Sequence, residues 1–203
     1  DESQFTFAPP AQSDKVIFWG TYIKLHGVET IIRAAKSLDR EKSRIRFGMI
    51  GAGQELRRAR QLATDLQVEN IDFIENILPM DAVIAHARFA FAALGIFGDT
   101  VKSASVFPYK AVQALALGLP LVTARTPVSE RLLGDGREAL LVTPGDAESL
   151  ADALKRLHCD RGLALSVSRH GREAYERNFS RRHIVACLQA VFINKESSCT
   201  TRT

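Results

Sequence analysis

The stretch "VIFWGTYIKLHGVETIIRAA", Val16 to Ala35, decides the fold. It opens as a short, nearly all-apolar run, the pattern of a strand covered on both faces. It closes with apolar residues at Val28, Ile31, Ile32 and Ala35, and Leu38 continues the series. That spacing predicts one face of a helix. Between the two lies a turn containing Gly20, Thr21, Lys24, His26 and Gly27. Glycine lets backbone approach a ligand closely, Thr21 adds a hydroxyl, and Lys24 and His26 add weak positive charge. Such a turn suits a phosphate. A plain strand–helix turn with solvated polar residues is the competing reading.

The same alternation recurs along the chain. "RIRFGMIG", "NIDFI", "FAFAALG", "PLVTA" and "ALLV" read as five further strands. Helices are predicted after each: over Leu56 to Leu66, in "PMDAVIAHA", in "PYKAVQALALG" ended by Gly118, in "PVSERLL", and from Asp146 onward. Six alternations predict an α/β, Rossmann-like, doubly wound, six-stranded parallel sheet with a single core. Ligands in such sheets bind outside the carboxyl ends of the strands. The opening residues 1–14, with Pro9 and Pro10, read as an extended linker, residues 15–194 as the domain, and residues 195–203 as a disordered tail.

Composition narrows the function classes. The 203 residues are 46% hydrophobic and 25% charged, which fits one ordinary domain. Twenty-seven basic against 23 acidic residues give a net charge of +4, too balanced to indicate nucleic acid as a partner. No apolar run approaches the ~20 residues that span a bilayer. Cys159, Cys187 and Cys199 are widely spaced and form no metal-ligand pattern. They read as reduced thiols of a cytoplasmic protein. No D-x-D pattern is present, so no metal and no cofactor is expected.

Three further turns follow strands. "GAGQEL", Gly51 to Leu56, half-matches a dinucleotide fingerprint, but Leu56 takes the third glycine position. A tight strand–helix turn is the better reading. "GIFGDTVKSASVFPYK" is a long loop of the kind that carries binding, leading into a helix after Pro108. Lys110 sits in the first turn of that helix, where the dipole disfavours a cation unless a ligand needs it. Gln113, three residues on, shares its face. "TARTPVSERLL" reads as ordinary helix capping.

The segments "MIGAGQEL" and "YKAVQALALGLPLVTARTPVSERLLGDGREALLVTPGDAESLADAL", with the opening unit, resemble one family. It is the C-terminal, donor-binding half of GT-B glycosyltransferases of the retaining family 4 group. The similarity runs from about Asp1 to Asn194. It implies a glycosyltransferase that binds a nucleotide-diphosphate-sugar donor for transfer to a glycan or lipid-linked acceptor. It also implies a missing N-terminal, acceptor-binding half, so the chain is expected to be inactive alone. Membrane association would be peripheral at most. By resemblance, Gly20, Thr21 and His26 stand at the diphosphate. Lys24, in the same turn, and Lys110, by its place in the first turn of its helix, are expected to join them in holding it, with His26 assisting more strongly below about pH 6.5. Gln113 meets the ribose, Asp99, Thr100, Ser105 and Phe107 the donor sugar, and Asn76 and Ile77 the base. The chain departs from the family pattern at four of these positions. Thr21 stands where arginine is common and His26 where lysine is common. Ser105 and Gln113 stand where the family has two glutamates. A non-catalytic or degenerate nucleotide(-sugar)-binding module is the alternative.

Overall fold

The computed structural model describes the backbone of residues 2–199 and the side chains of residues 2–190. Six strands form one parallel sheet: β1 (Lys15–Trp19), β2 (Arg46–Ile50), β3 (Ile71–Ile74), β4 (Ala92–Leu94), β5 (Leu121–Ala124) and β6 (Leu140–Val142). Their order is β3-β2-β1-β4-β5-β6. The order reverses between β1 and β4, which pair through Val16 with Ala92 and Ile17 with Ala93. The crevice outside the carboxyl ends of these two strands is therefore the topological switch point.

The strand-rich pattern works because the middle strands are buried on both faces. Val16, Ile17 and Phe18 are wholly buried. Alternate residues point to opposite sides of the sheet. Val16, Phe18, Phe47 and Met49 pack with Ile31, Leu38, Leu150 and Leu154, under the helices α1 (Val28–Arg40), α2 (Leu56–Asp65) and α7 (Ala147–Cys159). Ile17, Trp19 and Ile50 pack on the other face with Val83, Ala114 and Leu115, under α3 (Met80–Ala87) and α5 (Tyr109–Leu117). The expected single core is thus one sheet with an apolar cluster on each face. The short helices α4 (Val101–Ala104) and α6 (Pro127–Leu132) lie in the loops after β4 and β5, and α8 (Arg161–Asn178) and α9 (Arg181–Cys199) follow α7. None of the described helices is long and apolar enough to cross a membrane.

Helix boundaries follow local chemistry. The Asp146 carboxylate accepts from the backbone of Glu148 and Ser149 and starts α7. Thr126 and Ser129 form a reciprocal cap on α6, so the "TARTPVSERLL" turn does cap a helix.

Two expectations need correction at the ends. The opening segment is not a bare extended linker. Glu2–Gln4 form a 3-10 turn, and the segment is strapped onto the domain. The Ala8 amide donates to the Leu117 carbonyl at 3.1 Å, and Arg88 donates to the Thr6 carbonyl at 2.6 Å. The Leu117 carbonyl at the end of α5 has no partner within its helix and the extended segment supplies one, while its own Thr6 carbonyl is satisfied by Arg88. Of the tail expected to be disordered, residues 195–199 are helical in backbone as part of α9. Residues 200–203 lie outside the described residues.

Candidate functional site

The first turn is built on glycine backbone. Gly20 follows β1 at φ +140, and its amide donates to the Ile50 carbonyl at 3.0 Å. A 3-10 turn over Lys24–His26 then leads through Gly27 into α1. The second turn rests on the first. A Cβ on Gly51 would lie 1.9 Å from the Gly20 carbonyl oxygen. One on Gly53 would lie 2.6 Å from the backbone of Tyr22. The "GAGQEL" glycines therefore serve close backbone packing, the tight-turn reading of that stretch.

Lys110 is the unusual residue. It occupies the first turn of α5, where Pro108 supplies no side-chain cap. Its side chain is 6% exposed and runs back beneath the Gly20 turn. The ammonium lies over the Phe18 ring, 3.9 Å from the centroid. A Cβ on Gly20 would come within 2.8 Å of Nζ, so a larger residue there would push the ammonium from its place. The Lys110 Nζ has no hydrogen-bond partner among the described residues. Burial holds its pKa well below the ordinary lysine value. A buried, unpaired ammonium is costly, and the aromatic face returns only ~0.5–2 kcal/mol.

His26 stands beside this group but not as a cation. It is 8% exposed, and its Nδ1 donates to the Thr21 carbonyl. That bond needs the Nδ1–H tautomer and leaves Nε2 without its proton. Burial, then the nearby Lys110 charge, lowers its pKa to about 4. The expected gain in His26 charge below about pH 6.5 is corrected accordingly. The ring stays neutral down to about pH 4, because the protein removes its water and supplies a like charge. The linkage sign is set by the unfolded chain binding the proton first. Stability is complete above about pH 6.5 and falls as pH drops toward 4, by up to ~3 kcal/mol. Chemical denaturation at pH 7 and pH 4.5 is expected to show a smaller loss for His26→Asn than for the wild type. Equal losses would remove His26 from the account.

Gln113 faces the same region from the next turn of α5. Its Oε1 accepts from the Trp19 indole at 2.9 Å, and its Nε2 donates weakly to the Met80 sulfur at 3.7 Å. Its carbonyl is therefore already occupied in the free protein.

The remaining candidates fall elsewhere. Lys24, Asp99 and Thr100 line an open groove of about 440 Å³ between the starts of α1 and α2 and the loop after β4. Lys110 and Gln113 do not line it. The Thr100 hydroxyl accepts from the Ser103 amide and starts α4. The Ser105 hydroxyl donates to the Lys102 carbonyl at 3.0 Å. Phe107 stacks on Phe179, rings 5.4 Å apart and nearly parallel. One face of that ring is thus covered by Phe179. Asn76 and Ile77 follow β3, both exposed, Ile77 at 82%.

The structure adds three residues that the sequence reading did not single out: Phe18 under the ammonium, Trp19 on Gln113, and Met80 beyond it. The one available signal was position, since Phe18 and Trp19 immediately precede Gly20. Among the described residues, no group of three or more His, Cys, Asp or Glu side chains is placed to hold a metal ion.

Comparison with known proteins places this geometry in a family. The family model described as "Glycosyl transferases group 1" matches residues 13–160. The lipopolysaccharide core biosynthesis glycosyltransferase LpsE of Rhizobium meliloti (strain 1021) is 28% identical over 197 residues. The match covers 92% of this chain and 52% of the relative, so the chain spans about half the length of that protein. Among solved structures, a sucrose-phosphate synthase from Thermosynechococcus elongatus has a TM-score of 0.79 at 19% identity, covering 98% of this chain and 51% of that one. HepE of Anabaena, solved with UDP and glucose, has a TM-score of 0.76 at 16% identity, covering 97% of this chain and 55% of that one. The solved structures share the fold, and the family match, which takes in most of the chain, shows that this protein belongs to the glycosyl transferases group 1.

Proposed function

We propose that this chain is the donor-holding half of a glycosyltransferase and binds the diphosphate of a nucleotide-diphosphate sugar at the Gly20 turn. The observation that carries the reading is Lys110, a buried ammonium without a partner at the switch point of the sheet. An anionic group beside it would supply the missing partner. The uncapped start of α5 adds its positive pole at the same place. Family membership and the UDP-bound state of HepE support the ligand class.

In sugar transfer with a diphosphate leaving group, negative charge grows on the phosphate oxygens as the glycosidic bond breaks. A fixed cation and helix N–H groups stabilise that charge without a proton transfer. Lys110 would hold the oxygens and the Gly20 backbone would admit them closely. An N-terminal half, in keeping with the greater length of the relatives, would bind the glycan or lipid-linked acceptor. Transfer with retention at the anomeric carbon is part of this reading, as is work at the cytoplasmic side, peripheral to the membrane at most.

A specific observation favours a second reading, a binding module without turnover. The two positions usually held by glutamates are Ser105 and Gln113, and both side-chain oxygens already have protein partners. The discriminating experiment is donor turnover by the full-length protein, measured as nucleoside diphosphate released from UDP-, ADP- and GDP-sugars. Release that depends on Lys110 supports the enzyme. Tight binding without release supports the module.

The base-side residues give a smaller test. Ile77 is mostly exposed and reads as a backbone-level contact to the base. Ile77→Ala is expected to change nucleoside-diphosphate affinity by less than about tenfold, ~1.4 kcal/mol. A larger loss by titration calorimetry would move recognition onto that side chain.

A further inference from the structure

We propose that Trp19 is a positioning residue that turns the Gln113 amide so that this position offers a bound nucleotide a hydrogen-bond donor. The inference rests on the reading that a nucleoside diphosphate binds at the Gly20 turn. Trp19 and Gln113 lie 94 residues apart in sequence and meet in the buried layer between β1 and α5. Trp19 is 4% exposed and Gln113 7%. The indole nitrogen is only a donor. A primary amide set against it must present its oxygen, because the opposite orientation would face N–H against N–H in a buried site. The orientation of Gln113 thus follows from the chemistry of its neighbour. Its N–H2 group is left turned toward Met80, the first residue of α3, which follows Asn76 and Ile77 in the same β3–α3 connection.

A thioether sulfur is a weak acceptor. The contact from Gln113 Nε2 to Met80 Sδ at 3.7 Å is therefore one that a ligand oxygen can displace. A carboxylate at position 113 would also accept from the indole, but its second oxygen would offer an acceptor. With glutamine the polarity is reversed. The site presents N–H groups and selects an acceptor oxygen of the ligand, such as a ribose hydroxyl oxygen. Trp19 immediately precedes Gly20, and Lys110 lies three residues before Gln113 on the same buried face of α5. The donor amide and the ammonium would therefore address adjoining parts of one nucleotide.

The chain contains a single tryptophan, which makes the pair directly observable. In the ¹⁵N-labelled protein the one indole N–H signal is expected to be protected from exchange and to shift in Gln113→Leu. Titration calorimetry with UDP, ADP and GDP then forms a double-mutant cycle. Trp19→Phe is expected to weaken the best-bound diphosphate by about 3- to 10-fold in the wild-type background, and by less than about twofold when Gln113 is already leucine. A Trp19 that merely filled space would weaken both backgrounds equally, and that additive result would overturn the positioning role. An indole signal that exchanges freely and ignores Gln113→Leu would overturn it as well. If UDP, ADP and GDP all fail to bind the wild type, the nucleotide reading falls and this inference falls with it. If they bind and the cycle is additive, this inference alone falls.

Discussion

Lys110→Met is expected to stabilise the free protein by ~1–2 kcal/mol while weakening nucleoside-diphosphate binding by ~1.5–3 kcal/mol. The two effects have one cause. The ammonium is buried over Phe18 and beneath Gly20 with no hydrogen-bond partner. Methionine keeps a flexible apolar stem of similar reach and removes the desolvated charge. The lost attraction to the Phe18 ring, ~0.5–2 kcal/mol, subtracts from the gain. Removal of a cation from the first turn of α5 adds ~0.3–1 kcal/mol in its favour. Lys110→Ala removes the same charge but leaves a void, so its stability gain should be smaller or absent. At this chain length each kcal/mol moves the melting temperature by ~2–4 °C.

Binding should also carry a proton signature. Burial depresses the Lys110 pKa, and an anion placed beside it favours the charged form. Above the depressed Lys110 pKa of the free protein the complex then binds more protons than the free protein, and affinity rises as pH falls; below it Lys110 is already charged and no uptake is expected. Calorimetry in buffers of different ionisation enthalpy reads the uptake directly. The uptake should vanish in Lys110→Met. Equal affinity of wild type and variant, with both melts intact, would sink the phosphate role.

The parts of this account legible in the sequence are those carried by local period. Val16 to Leu38 declares a strand and an amphipathic helix through spacing alone, and Val28, Ile31, Ile32, Ala35 and Leu38 are all buried. The tight-turn reading of Gly51 to Leu56 needed only the misplaced Leu56. The placement of Lys110 in a first turn was also visible, because Pro108 marks the helix start. Its burial was not, since a lysine stem can lie along apolar surface or extend into water with the same local sequence. Long-range pairs were equally silent. Phe107 meets Phe179 and Trp19 meets Gln113 only through the fold. The neutrality of His26 depends on burial and on a lysine 84 positions away, neither of which its own neighbours encode. The docked opening segment is held by partners far along the chain, Glu2 by Tyr175, Thr6 by Arg88 and Ala8 by Leu117, which no local pattern announces.

Gly51→Ala is expected to be the most destabilising single substitution at this end of the sheet, by ~4 kcal/mol or more. Two terms add. Gly51 sits at φ +138, a conformation that costs an L-residue ~1–3 kcal/mol. Its Cβ would also fall 1.9 Å from the Gly20 carbonyl oxygen, a backbone atom that cannot rotate away. The first turn must shift by more than an ångström, or the second must leave the sheet. Either movement displaces Gly20 from its place against Lys110 Nζ, so diphosphate affinity should fall together with stability. Gly136→Ala separates the two terms. Gly136 has φ +73, and nothing lies within 4 Å of its Cβ position. That variant should cost only the conformational term, ~1 kcal/mol, and leave binding unchanged. Denaturant titration of the two variants beside the wild type gives the difference. A Gly51→Ala loss no larger than that of Gly136→Ala would mean that the two turns do not bear on each other, and the role of Gly51 in supporting the Gly20 turn would be withdrawn.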